Sequence, residues 1–457
     1  MKKTPTTWVI LDGLGLREQE EGNAVAAAKT PVLERLLAEC AHTSLAAAGA
    51  DVGLREGQRG NSAAGRANLE AGRVVPQPQL EIDRAIEDGT FFENPAYNAA
   101  MDACLENGTA LHLVGLLSDG GVHSSIDHLF ALLKMASIKG LRRVYIHAIL
   151  DGFDVLPKTG RGFVERTLKK CAELGVGKIA TIVGRWYAMD RKQRWARVEP
   201  AYDAMVYGEG VQIDDPVLAV AESYHDGIPD DRTEPIICNA QGMVSDHDSV
   251  IFFNYRADRA DALTRAFTDP AFNGFQREFF PLTFVSNVAE GLPPGARSAF
   301  PREPMKNALI PYLESAGMKT VRVDDTERAV SAILSGNDDL VVLYLNDCSA
   351  AGHSGDFALA VRAVEAVDAD VGAAVDATLQ MGGIAVVTAG HGNVEQMLDN
   401  EGKPSPMNTT NRVPFILCGA GSVLREGGRL ADVAPTILDV LGLAVPEEMT
   451  GKTLILR

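Results

Sequence analysis

Short runs of aliphatic, β-branched or aromatic residues recur along this chain with helical stretches between them, and that alternation limits its fold more than any other feature. The runs are WVIL (8–11), ALHLVGLL (110–117), RVYIHAIL (143–150), KIATIV (178–183), VIFF (250–253), LVVLYL (340–345), IAVVTA (384–389) and PFILC (414–418). Among the stretches between them are HLFALLKMASIKG (128–140) and DFALAVRAVEAVDADVGAAVDATLQMGG (356–383). The longer one spaces Ala, Val and Leu by three and four residues and stops at Gly-Gly, as an amphipathic helix does. Strand and helix in alternation mean an α/β chain with mainly parallel sheets. No internal repeat or low-complexity tract is found.

A chain of 457 residues exceeds what one hydrophobic core usually holds, so about two domains are expected. Pro76-Gln77-Pro78 and Phe300-Pro301-Arg302-Glu303-Pro304 read as linkers, because proline interrupts helix and strand alike. The N-terminal piece carries few strands and needs the C-terminal part to complete a sheet. That predicts one discontinuous domain, 1–76 with 305–457, and a second, 77–304, inserted in it.

Against 43 Lys and Arg stand 61 Asp and Glu, a net charge of −18. That excess argues against nucleic acid or an anionic membrane as partner, while leaving room for a local basic pocket that takes a small anion. The start, MKKTPTTWVILDGLG, has an apolar run too short for a secretion signal and reads as a first strand. No stretch has the ~18 apolar residues that a membrane span needs. Six scattered cysteines without a CxxC pair predict neither a disulfide framework nor a zinc knuckle, and fit a reducing cytoplasm.

Several runs empty into polar, Gly-rich turns, where α/β enzymes place their chemistry. GQRGNSAAGRANLEAGR (57–73) puts Ser62 at the start of a helix, where backbone N–H groups and the helix dipole favour a phosphate. The same residues would also serve as a plain N-cap. LLSDGGVHSSIDH (116–128) offers His123 and LDGFDV (150–155) offers Asp151 and Asp154. Arg185, Arg191 and Arg194 follow one strand, and Arg256 and Arg259 another. Guanidinium forks so placed suit phosphate or carboxylate oxygens, and ion pairs with Asp190, Asp258 and Asp261 are the alternative.

Taken in order, GNSAAGR, GLLSDGGVHSSIDHLFALL, GRWYAMDR, YGEG, FFNYRADRA, AGHSG, AGHGN and ADVAPTILDVLG resemble the cofactor-independent phosphoglycerate mutases of the alkaline phosphatase superfamily, from end to end. The resemblance implies an alkaline-phosphatase-like domain interrupted by an α/β substrate-binding domain. It also implies a two-metal centre, usually manganese, and a serine that carries the phosphoryl group between the hydroxyls of a glycerate. By that resemblance Ser62 is the nucleophile, with Arg66 beside it where a histidine is expected. His123, Asp154, Arg185, Arg191, Arg256, Arg259 and Arg328 hold the substrate. Asp12, Ser62, His353 and His391 are the metal ligands that remain.

Three further ligand positions hold Ser349, Gly390 and Asn408 in place of two aspartates and a histidine. Phe153 stands where an arginine is expected, and about fifty residues of the pattern are missing between Arg328 and Asp338. Losing half its protein ligands costs a hard cation most of its affinity, so at most one tight divalent site, or none, is expected. Asp347 or Glu395 could assist a rebuilt site. Three functions fit: seryl phosphoryl transfer on a phosphoglycerate-type substrate; transfer of a phosphono or carboxyphosphono group to a glycerate in phosphonate biosynthesis; or phosphoglycerate binding without catalysis. The expected partner in each is a small anionic phosphorylated compound.

Overall fold

The computed structural model describes residues 3–288, 291–302, 305–399 and 401–456. The chain divides into two compact units, Met1–Gln77 with Pro304–Arg457, and Pro78–Glu303. Of the second expected linker, Phe300 packs on the core of the inserted unit and Arg302 pairs with Glu81 at 3.0 Å. Glu303 and Pro304 lie outside the described residues.

The discontinuous unit is built on a seven-stranded sheet. From edge to edge its strands are Thr320–Val323, Leu340–Leu345, Thr6–Leu11, Ile384–Thr388, Val413–Cys418, Ala41–Ala46 and Gly428–Arg429. The first four run parallel, and Val413–Cys418 is antiparallel to both of its neighbours. Thr6–Leu11 pairs with strands at both edges and is buried on both faces along its whole length, which is why its sequence does not alternate. The long helix Phe357–Gln380 is capped by Asp356, whose carboxylate accepts from the Leu359 N–H. Its Val364, Val367, Val371 and Val375 form one buried stripe, each worth about 1.5–3 kcal/mol.

The inserted unit has an eight-stranded sheet in the order Ala296–Ser298, Thr283–Ser286, Ser249–Phe252, Leu111–Leu117, Val144–Leu150, Lys178–Gly184, Ile236–Ile237 and Val211–Gln212. The first six are parallel, and Ile236–Ile237 pairs antiparallel to Lys178–Gly184. Among the described residues no helix is long and apolar enough to cross a membrane.

One expectation fails. Cys40 and Cys418 form a disulfide, their Cα atoms 5.0 Å apart, while Cys104, Cys171, Cys238 and Cys348 are free and buried. The pairing of Ala41 with Leu417 in adjacent antiparallel strands brings the two sulfurs together. At a sequence separation of 378, no spacing rule exposes the pair.

Candidate functional site

In the discontinuous unit the chemistry-bearing residues follow the C-terminal ends of the parallel strands, as in other open α/β sheets. Asp12 comes directly after Thr6–Leu11, and Gly390 and His391 shortly after Ile384–Thr388. Ser62 opens the helix Ser62–Ala71, whose cap Asn61 accepts from the Ala64 N–H at 2.9 Å. Gly65 sits where a Cβ would lie 2.4 Å from the Gly390 carbonyl oxygen, so the first turn of the helix can press against that loop only with glycine there. The result is a contact between Ser62 Oγ and His391 Nε2 at 3.0 Å. The other ring nitrogen of His391 faces the Gly392 carbonyl at 3.1 Å, and Asp12 Oδ2 lies 3.7 Å from Nε2. Ser62 borders a cavity of about 390 Å³, lined also by Ala63, Arg66, Ala67, Glu70 and Met305.

Arg66, one turn after Ser62, lies over the ring of Tyr344, 4.1 Å from its centroid. The Tyr344 hydroxyl donates to Asp12 Oδ2. Burial and the neighbouring Asp12 carboxylate push the Tyr344 phenol up to about 12. Burial works against the Arg66 charge, but the Tyr344 hydroxyl and the carboxylates of Asp12 and Glu70 outweigh it and raise its pKa.

These residues do not fit a two-metal centre. Asp12 Oδ2 is taken by Tyr344, and Oδ1 fills the space in front of Gly390, where a Cβ would lie 2.5 Å away. Ser349 gives its backbone N–H to the Asp12 carbonyl. Asn408 donates to the Gly60 carbonyl at 3.0 Å and accepts from Asn393 at 2.9 Å, bracing two loops with an amide. His353 does not join Asp12 and His391; its Nδ1 faces the Pro406 carbonyl at 2.9 Å. Nor is Glu395 available, since Gly15 and Asn393 N–H groups, Asn411 and the Thr409 hydroxyl all donate to its buried carboxylate. Asp347 is exposed. Among the described residues no three His, Cys, Asp or Glu side chains are grouped to hold an ion.

The inserted unit carries the cationic residues, again after strand C-termini. Arg185 is buried between Asp151 and Asp154, at 2.5 and 2.7 Å. Asp154 Oδ2 lies 3.9 Å from His123 Nε2. Burial, reinforced by Arg185, Arg256 and Arg259, depresses the His123 pKa to about 2, so the imidazole is neutral. Burial and the neighbouring Asp151 raise the Asp154 pKa against the pull of Arg185. Arg259 donates to the Met189 carbonyl at 3.1 Å; burial, then Arg185 and Arg191, lower its pKa. Arg256 pairs with Asp258 at 3.1 Å, and Arg191 is exposed. Six of the seven substrate residues implied by resemblance thus form one electrostatic cluster. Arg328 belongs to the other unit, exposed in the first turn of Thr326–Ser335 with its N–H on Asp325. Phe153 is 78% exposed, its ring 5.3 Å from the Arg185 guanidinium.

Two residues escaped sequence reasoning. In sequence Asp151 is one of two carboxylates in a Gly-containing turn, and its role as the buried counter-ion of Arg185 emerges only in the fold. Tyr344 sits inside LVVLYL, where its one visible signal is a hydroxyl-bearing side chain near the C-terminal end of a buried strand.

Residues 82–288 match the family model described as BPG-independent PGAM N-terminus. Over the full length of both chains, this sequence is 41% identical to the 2,3-bisphosphoglycerate-independent phosphoglycerate mutase of Clostridium perfringens. It is 42% identical, again over the full length of both, to the enzyme of that name from Lachnoclostridium phytofermentans. Among solved structures, Leishmania mexicana phosphoglycerate mutase at low cobalt concentration superposes with a TM-score of 0.82 at 26% identity, covering 100% of this chain and 98% of that one.

Proposed function

The chain belongs to the 2,3-bisphosphoglycerate-independent phosphoglycerate mutases, and on that premise we propose that it moves a phosphoryl group between the hydroxyls of a glycerate through Ser62. The observation that carries the reading is Ser62 Oγ hydrogen-bonded to His391 Nε2 at the border of a cavity that Arg66 also lines. With a proton on Nδ1 directed at the Gly392 carbonyl, His391 Nε2 presents its lone pair to Ser62 and accepts the hydroxyl proton as Oγ attacks phosphorus. The Oγ–P bond forms as the P–O bond to the glycerate breaks, and that glycerate oxygen takes a proton from solvent. Attack by the other glycerate hydroxyl on phosphoserine reverses the steps and restores Ser62.

Arg191, Arg256 and Arg259 supply the charge that holds a carboxylate and phosphate, while Arg185, already neutralised by Asp151 and Asp154, anchors the loop beneath them. Neutral His123 contributes hydrogen bonding and no further charge. The divalent requirement is at most one ion, given what occupies Asp12, Ser349, Gly390 and Asn408.

A second reading, transfer of a phosphono or carboxyphosphono group to a glycerate, draws on one observation: Phe153 places an exposed aromatic ring where the pattern has a cation. Incubation with 3-phosphoglycerate, acid quench and peptide mass analysis tests the first. It predicts a phosphoryl group on the Ser62 peptide, absent in Ser62→Ala. A wild-type Ser62 peptide that stays unmodified while 2-phosphoglycerate accumulates would replace the seryl route with direct transfer.

A further inference from the structure

Resting on the seryl reading, we propose that Ser62 transfer in this chain needs no divalent cation, because Arg66 supplies the positive charge and Tyr344 positions it. Arg66 is the catalytic residue of the pair, facing the transferring phosphoryl oxygens; Tyr344 acts through Arg66 and Asp12.

Charge balance is the first support. A phosphoryl group in flight needs fixed positive charge on its equatorial oxygens. At the seryl site Asp12 faces Arg66, Glu70 on the same cavity is paired with Arg322 at 3.2 Å, and positions 349 and 390 carry no charge. Such a site is neutral as it stands. It has no surplus carboxylates whose repulsion a cation would relieve.

Geometry is the second. Tyr344 stands on the strand next to Thr6–Leu11, with Tyr344 beside Ile10, so its hydroxyl reaches Asp12 at the end of that strand. The same ring forms the floor under the Arg66 guanidinium, 4.1 Å below it. A tyrosine face attracts a cation, and a ring tied down at its hydroxyl cannot swing away. Arg66 lines the cavity that Ser62 opens onto, one helical turn along the same face. The N–H groups of Ser62 and Ala63 belong to the first turn of that helix, beyond the reach of the Asn61 cap, which serves Ala64. They join Arg66 in offering donors to a phosphoryl oxygen.

The third support is the space itself. Asp12 Oδ1 lies where any side chain at 390 would begin, and Tyr344 occupies Oδ2. Of the one carboxylate retained beside Ser62, Oδ2 is therefore committed to Tyr344 and Oδ1 leaves no room for a second ligand side chain at 390.

The test uses the full chain, dialysed against a chelator until elemental analysis finds no divalent metal, then mixed with 3-phosphoglycerate and quenched over time. Phosphoserine at position 62 should form at the same rate, within about twofold, with and without added manganese. Arg66→Ala should slow it roughly 100-fold or more, the usual effect of removing a preorganised donor, and Arg66→Lys should recover part of that loss. Tyr344→Phe should lower kcat roughly tenfold and leave KM for 3-phosphoglycerate unchanged, a split that mere loss of folded protein does not give. Should Tyr344→Phe fail to fold, the exposed Arg66 variants still decide. Phosphoserine formed only with manganese overturns the inference and leaves the seryl reading standing. An Arg66→Ala rate equal to wild type also overturns it. No phosphoserine under either condition overturns the seryl reading, and this inference falls with it.

Discussion

Placing an aspartate at position 390 should damage this protein unless a cation accompanies it. An added Cβ would stand 2.5 Å from Asp12 Oδ1, a buried oxygen, so Asp12 must turn aside and surrender the hydrogen bond from Tyr344. A bond to a charged acceptor is worth about 1.5–3 kcal/mol. Two carboxylates then share the site at ~4 Å, which costs about 4 kcal/mol at an effective dielectric constant of ~20. Protonating one of them at pH 7 costs about as much, since neutrality lies some three units above the usual aspartate pKa. Gly390→Asp should therefore lose about 6 kcal/mol and lower the melting temperature of its unit by about ten degrees or more. In that background Tyr344→Phe should add little, because its hydrogen bond is already gone. Manganese should restore stability to Gly390→Asp and leave wild type unchanged, as a cation between the carboxylates removes their repulsion. Thermal melts followed by circular dichroism, with and without the metal, measure all of this. A Gly390→Asp protein that melts with wild type would refute the placement of Asp12, and with it the account of why the metal ligands are gone.

Arg191→Ala should weaken 3-phosphoglycerate binding, measured calorimetrically, by about 1.5–3 kcal/mol, and Arg256→Ala by less, because Arg256 must first release Asp258. Arg185→Ala should instead destabilise the inserted unit by about 3–5 kcal/mol, leaving Asp151 and Asp154 buried without their counter-charge. Burial and the arginines depress the His123 pKa to about 2, so below the ordinary 6.5 the unfolded chain binds a proton that the folded one refuses. Its contribution to stability is full above pH 6.5 and falls by about 1.4 kcal/mol per pH unit as pH drops from there toward 2. His123→Asn should therefore lose less stability than wild type between pH 7 and 5, and equal slopes in the two denaturation series would disprove the neutral imidazole. The triple change Ser349→Asp, Gly390→Asp, Asn408→His should raise manganese affinity in calorimetric titration, and more so once Tyr344→Phe frees Asp12.

The central strands were legible because burial on both faces writes an unbroken aliphatic run, as in LVVLYL and WVIL. Ala41–Ala46 was not, since its half-exposed residues, AHTSLA, follow no single pattern. Ser62 and His391 were legible singly, through a Gly-flanked turn and a helix start. Their contact across 329 residues was not, and neither was its consequence, a histidine bonded to the serine where a metal ligand was expected. Residue types showed that Ser349, Gly390 and Asn408 had changed. Only the fold shows what fills the space they leave, an Asp12 oxygen before Gly390 and an amide bridge from Asn408 to Gly60. The arginines announced an anion pocket, yet the division of labour between a buried Arg185 and an exposed Arg191 depends on Asp151, whose part no local motif reveals.

The most direct measurement is phosphorus NMR of 3-phosphoglycerate with the purified chain, its divalent content determined on the same sample. The account predicts conversion to 2-phosphoglycerate by wild type carrying fewer than two ions per chain, and none by Ser62→Ala. Conversion that appears only in protein holding two tightly bound ions per chain, or that survives in Ser62→Ala, would contradict it.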